Sequence, residues 1–179
     1  MSKNILVISA SLRNGSNSDM LADEFMRGAL ESGNKAEKIT LRGKSINFCK
    51  GCLACQKTGK CVINDDIAEI LPKMQQADVI CFASPVYFYD MCGQLKTFLD
   101  RTNPLFPAEY NFTDIYFLLT AADTEKTASE GPLKGLQGWI DCFENAGLKG
   151  VVCGLGAEKP GDVKSIPAMN EAYMLGKQA

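Results

Sequence analysis

The chain contains no histidine. The commonest general base is therefore missing, together with one of zinc's usual ligands and any Ser–His or Cys–His nucleophile pair. No motif sets two carboxylates together for acid–base work either. Positive charge is not in excess: 19 Lys and Arg stand against 21 Asp and Glu, a formal net charge of -2, so no basic surface invites nucleic acid. Long apolar runs are lacking too. The N-terminal run NILVISAS ends before Arg13, too short for a signal peptide with its cleavage site or for a membrane span, so the expected address is cytoplasmic with no membrane partner. There is no repeat, low-complexity tract or linker-like boundary, and 179 residues suit one domain with a full core, expected over 1–179. Neither GxGxxG nor GKS/GKT occurs, which excludes the dinucleotide fingerprint and the Walker A loop.

Cysteine, by contrast, is plentiful, with 8 residues. In a reducing cytosol these point away from a disulfide framework and toward metal, cluster or redox use of some of them. Cys81 (VICFA) and Cys153 (GVVCG) lie in apolar runs, and Cys92 and Cys142 stand alone; all four read as buried small hydrophobes. The others crowd into CKGCLACQKTGKC, within a Cys-rich loop at 47–64. Cys49, Cys52, Cys55 and Cys61 have the spacing C-x2-C-x2-C-x5-C. Structural zinc usually takes two C-x2-C knuckles separated by a longer loop, whereas cysteines repeated at x2 intervals fit a cubane better. Cys61 precedes Val62 rather than proline, so it is free to close the same site, and Lys50, Lys57 and Lys60 would offset a cluster's negative charge. Three readings stay open: one [4Fe-4S] cluster, a zinc ion, or a metal-free loop whose turns are made by Gly51 and Gly59.

The rest of the chain alternates strand and helix. Apolar β-branched runs predict strands at Asn4–Ala10, Val79–Ala83, Ile115–Thr120 and Gly150–Cys153, and alternation predicts one at Ala36–Leu41. Helical periodicity predicts Ser18–Glu31, with Leu21, Phe25 and Leu30 on one side, a helix capped by Asp65 or Asp66 that runs to Gln76, then Gly93–Arg101 and Leu133–Ala146. Continuous apolar strands separated by helices imply a parallel sheet covered on both faces. The expected fold class is α/β: a three-layer, doubly wound, five-stranded sheet of flavodoxin-like order 2-1-3-4-5, with ligands beyond the carboxyl ends of its strands.

Three loops fall at that edge. SASLRNGSNSDML supplies Ser11, Ser16, Asn17, Ser18 and Arg13 at a helix start, more donors than an N-cap needs and suited to a phosphate monoester. SPVYFYDMCG follows the third strand; Pro85 is expected to bend the chain out of the sheet and some of Tyr87, Phe88 and Tyr89 to line a cleft for a planar ring. Thr120-Ala-Ala-Asp123 follows the fourth, with small residues permitting close approach.

Together with ASPVYFYDMCGQLKTFLDR and the late GDVKSIPAMNEAYMLGK, the first loop resembles the NADPH-dependent FMN reductase family of flavodoxin-like proteins. With CKGCLACQKTGKC the chain resembles its iron–sulfur flavoprotein branch. The resemblance implies FMN, with Ser11, Arg13, Ser16, Asn17 and Ser18 at the phosphate, Pro85, Val86, Tyr87 and Phe88 beside the isoalloxazine, and Thr120 and Asp123 on its far side. Ala121-Ala122 departs from the family, where glycine is frequent. The expected activity is an FMN-dependent oxidoreductase fed by NAD(P)H, or by a ferredoxin-like donor, that reduces a quinone, flavin or other small acceptor, with no catalytic side chain because the cofactor carries the chemistry. The resemblance also implies a homodimer or homotetramer and, in its iron–sulfur branch, a [4Fe-4S] cluster on the compact cysteine motif. A non-enzymatic flavodoxin-like carrier and a cysteine-based metal or redox-sensing module are the alternatives.

Overall fold

The computed structural model describes residues 2–179. Its central sheet is built from β1 (Asn4–Ser9), β2 (Lys35–Thr40), β3 (Val79–Tyr87), β5 (Asp114–Ala121) and β6 (Gly147–Leu155), all parallel, in the order β2-β1-β3-β5-β6. A two-residue strand, β4 (Asp90–Met91), turns back antiparallel on the end of β3. This is the flavodoxin-like doubly wound order, with β5 and β6 as the fourth and fifth parallel strands.

The continuous apolar runs are explained by burial on both faces. Along β1, Ile5 and Val7 join one core and Leu6 and Ile8 the other. On the first face lie α1 (Asn17–Glu31) and α6 (Ala168–Gln178); on the second, α3 (Ile67–Gln76), α4 (Gly93–Asp100) and α5 (Glu130–Ile140). A short α2 (Ala54–Thr58) lies inside the cysteine loop. The α1–α6 crossing is so close that a Cβ on Gly28 would stand 2.1 Å from the Tyr173 carbonyl oxygen, and one on Gly176 2.0 Å from that of Phe25.

Several expectations need correction. Leu30 is exposed, and α1 packs instead through Leu21, Ala22, Phe25, Gly28 and Ala29. Helix α5 begins earlier and stops at Ile140, after which Phe143 packs with Trp139, Tyr110 and Phe112 from an irregular turn. Pro85 does not leave the sheet: it stays in β3 opposite Thr120, and the chain turns only at Phe88 and Tyr89. Cys81 and Cys92 are buried as expected, but Cys153 is half-buried and Cys142 is exposed, because the turn that follows α5 presents it to solvent. Helix α6 was not anticipated, since its packing stripe is Ala168, Ala172 and Gly176 rather than large apolar residues. Among the described residues no helix is long and apolar enough to cross a membrane.

Candidate functional site

The loop after β1 closes into the first turn of α1. Ser16 is the N-cap, its Oγ accepting from the Asp19 N–H at 3.2 Å, and Ser11 Oγ accepts from the Arg13 N–H at 3.3 Å. The N–H groups of Asn17 and Ser18 open the helix, where no intrahelical acceptor exists for them. Ser18 Oγ is buried without a hydrogen-bond partner, and so is Ser9 Oγ at the end of β1. Unpaired buried hydroxyls are rare and call for an explanation; beside free amides at the positive end of a 15-residue helix, an anion supplies one.

Asn17 has a different task. Its Nδ2 donates to the carbonyls of Ala157 and Lys159, at 3.1 and 2.9 Å, while its Oδ1 accepts from the N–H groups of Gly161 and Val163, at 2.9 and 3.3 Å. The side chain is fully used in tying the loop after β6 to the start of α1, which leaves its backbone N–H as the Asn17 donor open to a ligand. Arg13 is exposed and its Nη1 reaches the Glu158 carbonyl at 3.4 Å.

Across the sheet edge, Pro85 pairs in register with Thr120, which puts the turn after β3 beside the loop after β5. Val86 pairs with Met91 and Tyr87 with Asp90, leaving Phe88 and Tyr89 as a two-residue hairpin loop with φ of 50° and 60°. Such positive values usually demand Gly or Asn. Tyr87, Phe88 and Tyr89 are all exposed at this rim. The Tyr89 hydroxyl donates to Asp123 Oδ2 at 2.7 Å, and Asp123 Oδ1 accepts from the Glu125 N–H at 2.9 Å. The Glu125 N–H and the Tyr89 hydroxyl hold the Asp123 carboxyl below its usual range, and Asp123 in turn raises the Tyr89 phenol.

The cysteine loop begins on the cleft side, where Phe48 borders a hollow with Leu12, Gly93 and Gln94, but Cys55 and Cys61 lie elsewhere. Helix α4 starts at the cleft, where the Cys92 N–H donates to Ser84 Oγ at 3.1 Å, and runs eight residues, about 12 Å, away from it. The loop meets the far end of that helix. Asn103 Nδ2 donates to Cys55 Sγ at 3.4 Å, and Cys61 borders a hollow of about 470 Å³ shared with Ile67, Leu71, Gln75 and Leu105. Its two ends are clamped by Arg101, whose side chain is fully buried. Arg101 Nη1 and Nη2 pair with Asp65 at 2.7 and 2.9 Å, while Nη1 also donates to the Asn47 carbonyl at 2.6 Å and Nη2 to that of Ile63 at 3.4 Å. Burial alone would raise the Asp65 carboxyl, but the Arg101 guanidinium and the Asn47 amides outweigh it and bring the pKa to about 2.

Cys49 and Cys52 are exposed, Cys61 half-buried and Cys55 buried. Burial, followed by the neighbouring Cys61 and Cys49 thiols, pushes the Cys55 thiol up. Sulfur here meets donors: the Gly51 N–H points at Cys49 Sγ at 3.4 Å, and Asn103 Nδ2 donates to Cys55 Sγ. Among the described residues no three His, Cys, Asp or Glu side chains converge on a single-ion site. Sequence reasoning overlooked Ser9, which reads as the end of a strand, and Arg101 and Asn103, which carry no local motif.

The family described as NADPH-dependent FMN reductase matches residues 3–128, and the chain belongs to that family. It is 30% identical to the Bacillus subtilis protein YwqN, named as an NAD(P)H-dependent FMN-containing oxidoreductase, over 98% of this chain and 97% of that protein. It is 44% identical to iron–sulfur flavoprotein MJ1083 of Methanocaldococcus jannaschii over 56% of this chain and 52% of that one. The match thus spans about half the length of that flavoprotein. In fold it is similar to an NAD(P)H:quinone oxidoreductase from Methanothermobacter marburgensis, with TM-score 0.77, 20% identity and coverage of 99% of this chain and 96% of the other. An azoreductase from Bacillus anthracis shares the fold at TM-score 0.73 and 14% identity, covering 100% of both chains.

Proposed function

We propose that the chain binds FMN and carries electrons from NAD(P)H to a small acceptor such as a quinone. The observation that carries this is Ser18 Oγ, buried and unpartnered at the start of α1 beside open backbone amides. A phosphate monoester suits those groups: Ser11, Ser16 and Ser18 offer hydroxyls, Asn17 and Ser18 offer N–H groups, and Arg13 screens the charge from the solvent side. The ring then lies beyond the paired ends of β3 and β5, with Pro85, Val86, Tyr87 and Phe88 beside it and Thr120 and Asp123 toward its far side. Bound flavin would supply the two-electron redox chemistry, a hydride from NAD(P)H together with one proton from solvent sufficing to reduce a quinone to its quinol. The side chains bind and orient; none is asked to act as acid or base.

The donors around the cysteines favour a second element in this reading. Amide groups directed at Cys49 and Cys55 suit anionic sulfur, and iron–sulfur flavoproteins recur among the relatives. Cys49, Cys52, Cys55 and Cys61 would hold one [4Fe-4S] cluster. We also infer a cytoplasmic single-domain protein working as a homodimer or homotetramer, consistent with the exposed Phe48, Leu53, Val62 and Phe88; a ferredoxin-like protein is the alternative donor.

The test is FMN titration of the wild type and of Ser18→Ala, with NADH and NADPH consumption followed in the presence of a quinone. Ser18→Ala removes a hydroxyl that bonds to nothing in the chain, so apoprotein stability should hold while FMN weakens by about tenfold or more, the loss of one charge-assisted bond. Unchanged affinity would remove the phosphate assignment. Turnover no faster than with free FMN, for either nucleotide, would shift the reading to an electron carrier.

A further inference from the structure

We propose that Tyr89 is a positioning residue for the flavin: its hydroxyl, bonded to Asp123, ties the turn after β3 to the loop after β5 and fixes the gap the ring occupies. The inference rests on the FMN reading above and adds to it a residue outside the phosphate and ring contacts.

Three observations converge. First, the bond joins two loops that share no ladder pairing beyond Pro85 and Thr120, and the acceptor is already aimed, because Asp123 Oδ1 is held by the Glu125 N–H. Second, the turn it holds is an unfavourable one. Phe88 and Tyr89 both sit at positive φ, and the Phe88 side chain is fully exposed, so no burial of that ring compensates. Third, the turn is pressed from behind. A Cβ on Gly131 would stand 2.1 Å from the Tyr89 carbonyl oxygen, so the start of α5 meets the turn's backbone directly. The turn is thus braced by α5 on one side and latched to Asp123 on the other. Release of the latch leaves two strained residues free to relax at the rim where the ring would enter. Because Tyr89 is itself exposed, removing its hydroxyl takes nothing from the core.

The experiment is a double-mutant cycle on FMN affinity, read by flavin fluorescence, with the visible circular dichroism of bound FMN and the apoprotein unfolding midpoint recorded alongside. Tyr89→Phe and Asp123→Ala should each raise the FMN dissociation constant about two- to tenfold, and the double variant no further than either alone. The flavin dichroism should change in Tyr89→Phe while the apoprotein midpoint does not. If both single variants bind FMN within about twofold of the wild type, or if their effects multiply in the double variant, the latch is refuted and the FMN reading stands. A wild type that binds no FMN would overturn both.

Discussion

Replacing Asp65 with Asn removes the countercharge of a fully buried guanidinium. Arg101 and Asp65 have side-chain exposures of 0% and 2%, so water cannot take over the lost interaction. Breaking a buried pair from one side costs about 3–5 kcal/mol. A second, independent magnitude comes from protonation. In the unfolded chain an aspartate takes up its proton near pH 4, whereas folded Asp65 does so only at about 2. Protons therefore favour the unfolded state as pH falls, and the pair's contribution, fully present above pH ~5, is lost progressively between about pH 5 and 2. The difference amounts to about 2 kcal/mol. Urea unfolding of wild type and Asp65→Asn at neutral pH and across that acid range measures both quantities. The variant should be several kcal/mol less stable at neutral pH and should show an acid loss shallower by about 2 kcal/mol. Equal acid losses, or neutral stability within about 1 kcal/mol of wild type, would refute the reasoning. An apolar pair, Asp65→Leu with Arg101→Met, should restore only part of the loss, because the Asn47 and Ile63 carbonyls also lose their donor.

Other outcomes follow from the packing and from the thiols. Gly176→Ala should force α6 away from α1, where the added carbon meets backbone rather than a movable side chain, and cost about 1–3 kcal/mol in thermal or urea unfolding despite the better helix propensity of alanine. In protein purified without iron, a thiol reagent should label exposed Cys142, Cys49 and Cys52 rapidly and buried Cys81 and Cys92 only on unfolding. After anaerobic reconstitution with iron and sulfide, Cys49 and Cys52 should become protected while Cys142 stays reactive, with about four irons per chain in the wild type and far fewer in Cys55→Ala. Fewer than about three irons in the wild type would contradict the cubane, and equal iron in Cys55→Ala would move its ligands elsewhere.

What could be read from sequence was what local pattern encodes. Strands β1, β3 and β5 are buried on both faces, so each appears as a continuous apolar run, and the helices between them dictate parallel crossovers. The start of α1 was legible because Ser and Asn at a helix start carry their chemistry locally, although their surplus served two ends at once: Ser18 is left open while Asn17 staples the loop after β6. Helix α6 escaped because close approach to α1 selects small residues, which leave no hydrophobic period to detect.

The pairs that brace the loops were illegible for a deeper reason. Arg101 ends a helix and reads as an ordinary cation complementing the helix dipole, while Asp65 reads as an N-cap 36 residues earlier. Tyr89 and Asp123 are 34 residues apart, each in a loop whose residues suggest a turn. Nothing in either local context announces a partner, since a polar side chain can be satisfied by water, backbone or another side chain until the fold chooses. Yet these pairs hold the cysteine loop shut and the aromatic turn in its strained form. Apolar periodicity thus specifies the scaffold, whereas the conformation of the cysteine loop and of the aromatic turn depends on long-range polar contacts. The two contacts should differ in their sensitivity to solvent. The buried Arg101–Asp65 clamp should persist in salt, while the exposed Tyr89–Asp123 bond competes with water and leaves the flavin rim the more easily displaced of the two.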